Sequence, residues 1–406
     1  MKKQVFFSVM AAIALILAVS FSASSQTTKI PKMPLDSMVK NEKPDYNKFV
    51  LNFIGEGTLN KPYKISTAAD LRRLAELVNA GTEPYSKAGT YYEQTANINL
   101  SGVIHTTIGT PARPFKGKYN GAHFTISNLT INNNNSEPTG LFGCIGVGAL
   151  VKNTRMTAVS ILGDSYHLGG MAGINDGTIE YCCISELNIN NRKILEGNTG
   201  GIAGCNKGII RNCMVRVTSS KVKGNSMVGG IAGYNDNKGI VENCYSHASV
   251  EAEKGTVGGI VGYSSSSGSN YGLVRYCYTV GGRVYTNSSY DPYAACGGIV
   301  GAGGKVQTCV ALCSEVVVVA KIDGLGRVFG YSSIGANNYA SAVMYIHNGN
   351  GRVTPSGTTT TKDGDDALPN NYYIANWWKS LGFSTVHWSI ENSGFPRLNG
   401  FPNLIQ

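Results

Sequence analysis

Seven glycine-rich steps recur down this chain, and no other feature restricts its fold as much. Their last glycines are Gly143, Gly173, Gly204, Gly233, Gly262, Gly301 and Gly330, so the spacing is 29–31 residues apart from one interval of 39. A period near thirty with glycine punctuation is the pattern of a solenoid, whose units bury their apolar sides only by stacking. It displaces the usual inference that 406 residues make two or more domains. Only 15% of residues are charged, while glycine reaches 51 and tyrosine 22, which favours strands with tight bends over helices.

A second ladder runs inside the first: LVKNT (150–154), TIEYC (178–182), IIRNC (209–213), IVENC (240–244), LVRYC (273–277) and KVQTC (305–309). In each, Ile or Val lies three residues before Cys or Thr. Strict strand alternation puts such residues on opposite faces, so a bend must intervene. Asn153, Asn212 and Asn243 stand there, and Asn tolerates the left-handed backbone of such a bend. Each unit is therefore one coil of a parallel β-helix, with Ile179 and Cys182, or Ile210 and Cys213, both facing inward. Equivalent cysteines in stacked coils have parallel Cβ vectors about 4.8 Å apart, whereas a disulfide needs about 3.8 Å and converging vectors. Cys182, Cys213, Cys244, Cys277 and Cys309 are thus expected as buried free thiols. Cross-links among Cys144, Cys183, Cys205, Cys296 and Cys313 stay open. No Cys-x-x-Cys pair or paired histidines suggest zinc. GGIVGAGGK (297–305) lacks the spacing and the Ser or Thr of a phosphate loop.

The ends must be covered. Lys2 and Lys3 followed by the apolar stretch 5–19 read as a secretory signal peptide, residues 1–25. A polar linker follows (26–54), and no transmembrane segment is expected in the mature chain. ISTAADLRRLAELVNAG (65–81) reads as an amphipathic helix capped by Ser66 or Thr67 and stopped by Gly81, its apolar face Leu71, Leu74, Leu77 and Val78. It is expected to cover the N-terminal opening, with the first coils in 55–138, the repeats in 139–340, and further coils and an aromatic cap in 341–406. Trp377, Trp378, Trp388 and Phe395 read as a plug over the far end, in preference to a sugar platform.

Several of these segments together resemble the secreted bacterial proteins carrying the GLUG motif, common in gut Bacteroidetes. They are GTLNKPYKISTAADLRRLAELVNAG (57–81), FKGKYNGAHFTISNLTI (115–131), TGLFG (139–143) and the step GG-x-x-G followed by "I-x-N-C-Y". The resemblance spans roughly residues 55–340 and implies a right-handed parallel β-helix, of the kind that accompanies the catalytic domain of immunoglobulin A proteases. Asn97-Ile98-Asn99 replaces the family's frequent Asp-x-Asp, which speaks against a cation site there. No HExxH motif is present, so the resemblance implies a scaffold and not a peptidase.

The formal net charge of +10 is dispersed, without basic runs, which argues against nucleic acid as a partner. No repeated acidic row is evident: Asp164, Asp176, Asp236 and Glu242 fall at varying offsets, and the cluster KDGDD (362–366) reads as a solvated turn. His105, His123, His167 and His247 lack partners at any suggestive spacing. No catalytic residue, metal or cofactor is expected, and the chain is not expected to be an enzyme. The long interval carries two insertions, SSSSGSNYG (264–272) and TNSSYDPYA (286–294). Loops on a rigid scaffold are where recognition concentrates, so Tyr271, Tyr285, Tyr290 and Tyr293 are the candidate ligand-binding residues. The expected function is adhesin-like recognition, extracellular or at the cell surface, of a host or microbial glycan or a surface protein. A polysaccharide lyase or hydrolase, and a structural surface protein, are the alternatives. Two or three carboxylates converging on one coil face would favour the enzyme.

Overall fold

The computed structural model describes residues 53–402, apart from 194–195, 217–218, 289–293 and 321–322. The expected signal peptide, and the linker up to residue 52, lie outside the described residues. The coil that begins at Ala172 has four strands: Ala172–Asn175, Thr178–Glu180, Cys183–Asn191 and Asn198–Gly200. Each pairs in parallel with its counterpart one coil on: Ala172 with Ala203, Ile179 with Ile210, Cys183 with Met214 and Thr199 with Val228. Repetition makes four faces, numbered here in that order, and the second face stacks ten strands. The chain is a parallel β-helix.

The inward rows are those the spacing predicts. Val151, Ile179, Ile210, Val241, Val274 and Val306 are fully buried, as are Thr154 and the five cysteines that follow it in register. Between the rows the backbone is left-handed in every coil, at Asn153, Tyr181, Asn212, Asn243, Tyr276 and Thr308, with φ of 50–53°. Asparagine suits that conformation. Tyrosine and threonine adopt it at a cost of about 1–2 kcal/mol, so the bend is imposed by stacking as well as by local preference. A further row escaped the sequence reading. Asn175 Nδ2 donates to Asn206 Oδ1 (2.8 Å), Asn206 Nδ2 to Asn235 Oδ1 (2.8 Å), and Asn235 Nδ2 to Ser264 Oγ (3.2 Å), all fully buried. This ladder satisfies amides that would otherwise be costly inside an apolar core.

All ten cysteines are free and buried, including the five whose pairing the sequence leaves open. In the ladder each Sγ sits on a carbonyl of its own coil, as Cys213 does on Arg211 O at 3.1 Å, so the thiols act as small apolar groups with a weak donor. Burial pushes the thiols of Cys144, Cys205 and Cys313 up to about 12 and that of Cys183 to about 11. A thiol held protonated in the fold contributes stability that is complete below its unfolded pKa near 9 and is lost as pH rises towards the folded value. The loss is about 1.4 kcal/mol per thiol per pH unit. The native protein should therefore show no thiol reacting with a disulfide reagent at pH 8, and ten after denaturation. Its urea midpoint should fall steeply above pH 9. A fast-reacting native thiol, or a flat midpoint from pH 8 to 10.5, would contradict this burial.

At the N-terminal end, helix α1 (Ala68–Ala80) forms as its pattern predicts. Thr67 caps it through Asp70 N, Asp70 completes a capping box, and Gly81 ends it in the left-handed region at φ 73°. Leu71, Leu74, Leu77 and Val78 join the core of the coils. Asn97 and Asn99 brace the turns of the first coils: Asn97 Oδ1 accepts from Thr125 N, and Asn99 Oδ1 from Ser101 N and Asn128 Nδ2.

The far end departs from expectation twice. The KDGDD turn is tied to the core by Arg327, which replaces the second glycine of the repeated step and is only 1% exposed. The guanidinium donates to Asp366 Oδ1 (2.6 Å) and to the carbonyls of Asp363, Gly364 and Ser341. The aromatic segment is not a plug. After a 3-10 turn (Asn371–Tyr373) it forms helix α2 (Ala375–Ser380) and a short antiparallel pair, Trp388–Ser389 with Arg397–Leu398. This strap runs back along the outside of the third face, from Trp377 against Tyr339 to Pro402, whose carbonyl accepts from Arg155. The reason is the residue after each ladder cysteine: Cys183, Met214, Tyr245, Tyr278 and Val310 form an outward apolar stripe, in register across the coils. Trp378, Phe383, Trp388 and Leu398 bury that stripe and themselves together.

Candidate functional site

Among the concavities of the described residues, one opens on the first face and one beside the second. On the first face the outward row reads Ile174, Cys205, Tyr234, Tyr263, Ala302 and Tyr331, one residue per coil. Tyr234 and Tyr263 stack with ring centroids 6.0 Å apart and planes within 10°. Ala302 then leaves a gap before Tyr331, which is 60% exposed. Tyr263 and Tyr331 stand two coil steps apart, roughly 9.5 Å, and form the walls of a slot of about 410 Å³. Its lining has no charged side chain among the described residues. Thr256 contributes a buried hydroxyl that has no hydrogen-bond partner.

The insertion 264–272 folds as a hairpin, Ser266–Ser267 pairing with Asn270–Tyr271, and brings Ser266 to the slot's rim. Tyr271 is therefore beside this site. Tyr285 is not. It lies on the third face between Glu251 and Val317, its ring under the Arg283 guanidinium at 4.0 Å and its hydroxyl donating to Asn287. Tyr290 and Tyr293 lie outside the described residues. The slot's own tyrosines were readable in the sequence as the repeated Gly-Tyr-Asn or Gly-Tyr-Ser at 233–235, 262–264 and 330–332, a signal hidden by attention to the insertions.

The second concavity, about 620 Å³, runs between the second face and the strap. Its floor is Glu180, Arg211, Glu242 and Arg275, the middle of the row that immediately precedes each bend, which continues beyond the groove to Lys152 at one end and Gln307 at the other. Arg211 donates to Glu180 Oε2 through Nε (2.8 Å) and Nη2 (2.6 Å), and Arg275 does the same to Glu242 Oε2 (2.9 and 2.6 Å). The glutamates are 12% and 16% exposed, the arginines 43% and 39%, so the carboxylates lie beneath and the guanidinium groups face the groove. Its bonds to the Glu180 carboxylate hold Arg211 still more firmly charged. Asn212 Oδ1, on a residue only 2% exposed, and His387 Nδ1, from the strap, have no partner. Two carboxylates thus do share a coil face, contrary to the varying offsets read from sequence, because Glu180 had been left out of the series. Among the described residues no group of three or more His, Cys, Asp or Glu is placed to hold a metal. Nor is any helix there long and apolar enough to cross a membrane.

Residues 224–251 match the GLUG motif, and they span one full turn of the β-helix from the third face to the next. The chain carries a GLUG motif on a parallel β-helix. Among solved structures, the GLUG β-helix is similar to a putative immunoglobulin A1 protease from Bacteroides ovatus, with TM-score 0.55 and 20% identity over 85% of this chain and 94% of that one. That likeness shows the fold. The chain is 32% identical over 128 residues, 31% of its length, to a "Putative Gly-rich membrane protein" of Evansella cellulosilytica. It is 27% identical over 186 residues, 43% of its length, to Halomucin of Haloquadratum walsbyi. The aligned parts span only 15% and 2% of those two proteins.

Proposed function

We propose that this GLUG-motif protein is an exported, non-enzymatic, adhesin-like recognition protein of the cell surface, and that its ligand is a neutral glycan held between Tyr263 and Tyr331. The slot carries the reading. Two aromatic walls roughly 9.5 Å apart accept one sugar ring with both of its apolar faces covered. An uncharged lining asks for hydroxyls instead of carboxylates or phosphates, and Thr256 supplies a hydroxyl whose burial is costly until a ligand pairs it. The scaffold is rigid and the site is already formed, so little ordering cost opposes binding. Relatives named as a membrane protein and as Halomucin support the surface location.

The enzyme alternative has one observation in its favour. Glu180 and Glu242 lie two coils apart on one face, near the upper end of the spacing of an inverting glycosidase pair, about 6.5–9.5 Å. Both are engaged by a guanidinium at the base of the groove, an arrangement for orienting arginines more than for delivering a proton.

The test is calorimetric titration of the full chain with a panel of neutral oligosaccharides, alongside Tyr331→Ala. Tyr331 is exposed, so its loss leaves the coils intact. The expected result is selective binding that weakens about tenfold or more in the variant. Unchanged affinity in Tyr331→Ala, or no binding to any neutral glycan by the folded chain, would overturn the assignment.

A further inference from the structure

We propose that the groove between the second face and the strap is a separate binding site for a linear acidic glycan with one carboxylated sugar per disaccharide. The argument starts from the alternation of the row. Lys152, Arg211 and Arg275 occupy every second coil, and glutamates occupy the coils between them. Cations therefore recur at roughly 9.5 Å along the axis, about the length of a disaccharide. A uniformly basic row would repeat twice as often and would suit a denser polyanion.

The guanidinium groups are also aimed. Each uses Nε and Nη2 on the glutamate beneath it, which leaves Nη1 without a bond among the described residues, on a group already fixed in orientation. A donor held this way loses little entropy when it meets a carboxylate. The acceptor side is provided as well. Asn212 Oδ1 belongs to an almost fully buried side chain, lines the groove and has no partner. It stands next to Arg211, as a sugar's hydroxyl stands next to its carboxylate. His387 Nδ1, also unpartnered, offers a further contact from the strap. Buried polar atoms in native proteins are nearly always paired, so two orphans in one groove point to a ligand that brings hydroxyls.

The charge balance narrows the class further. In the row as a whole, with Arg211 and Arg275 lining the groove and Lys152 one coil beyond Glu180, three cations face two glutamates, a net of one positive charge. That attracts a sparsely charged chain and is too weak for a phosphate backbone, whose binding rests on many uncompensated cations.

The site is independent of the slot, and the experiment separates them. The full chain is titrated at low and at high salt with oligosaccharides that alternate a uronate with a neutral sugar, and with the same oligosaccharides after reduction of their carboxyls to alcohols. Three variants accompany it: Lys152→Ala, the pair Glu242→Gln with Arg275→Gln, and Tyr331→Ala. The glutamine pair removes both charges together, so no buried carboxylate is left alone, and circular dichroism checks that it folds. The expected result is salt-sensitive binding of the acidic oligosaccharides. It should weaken about fivefold or more in the glutamine pair and less in Lys152→Ala, stay unchanged in Tyr331→Ala, and vanish for the reduced oligosaccharides. Equal binding of the reduced forms, no binding at low salt by the folded chain, or full affinity in the glutamine pair would overturn the proposal. Loss in Tyr331→Ala would move the ligand to the slot and overturn it equally.

Discussion

Gly230→Ala is expected to destabilise the β-helix by about 4 kcal/mol or more, the range reserved for severe overpacking. A Cβ at Gly230 would lie 2.1 Å from the Gly259 carbonyl oxygen of the next coil and 2.5 Å from Ser246 Oγ. Neither neighbour can give way. The carbonyl is part of a coil held in parallel register, and Ser246 is 2% exposed. The backbone at Gly230 does not have positive φ, so the requirement is for space between coils and not for an unusual bend. Gly148 is the control: it has positive φ (75°) but nothing near its Cβ position. Gly148→Ala should cost only the strain of that backbone, about 1 kcal/mol. Because a solenoid can open coil by coil, the measurement is urea unfolding together with amide exchange in the coils on either side. A loss below about 1 kcal/mol for Gly230→Ala would mean that the coils are not stacked as closely as described.

Trp388→Ala should produce the second large effect, about 3–5 kcal/mol, and it should fall on the strap before the coils. Trp388 is fully buried, with its ring 5.6 Å from Tyr278 and 5.4 Å from Phe383, and its Nε1 donates to Asn243 Oδ1 at 3.3 Å. Its removal leaves a cavity at the centre of the strap's contact with the apolar stripe. Limited proteolysis should then cut within 369–402 while the coils stay protected. The groove, which takes one wall from Ser384 and His387, should lose acidic-glycan binding while the slot on the first face keeps its ligand. A variant whose strap stays as protected as the wild type would show that the stripe does not need it.

Much of the coil was legible because its determinants are local and repeated. The bend, the inward Val, Ile and Cys rows, the capped helix and the unpaired ladder thiols all follow from residue types at fixed offsets within one unit. Two rows with equally regular offsets were overlooked. The Asn ladder is the residue two after each last glycine. The Glu–Arg alternation is the residue before each bend, which a search for acids alone breaks into apparent irregularity. The tyrosines were sought where the sequence was irregular, in the insertions. The slot's walls stand instead in a regular row, at the one place where a small residue, Ala302, interrupts the aromatics.

By itself, then, the sequence determined the period, the coil and which residues face in, because each of those depends only on a unit and its stacked neighbour. The course of the strap was decided by tertiary structure alone. Its bonds join residues far apart in the chain, as between Tyr278 and Pro396 or Asn243 and Trp388, and no repeated pattern encodes such a meeting. An aromatic cluster buries similar area over the end of a solenoid or along its side. Here the strap covers the outward apolar stripe from Cys183 to Val310, and by lying along it the strap also created the wall of a groove.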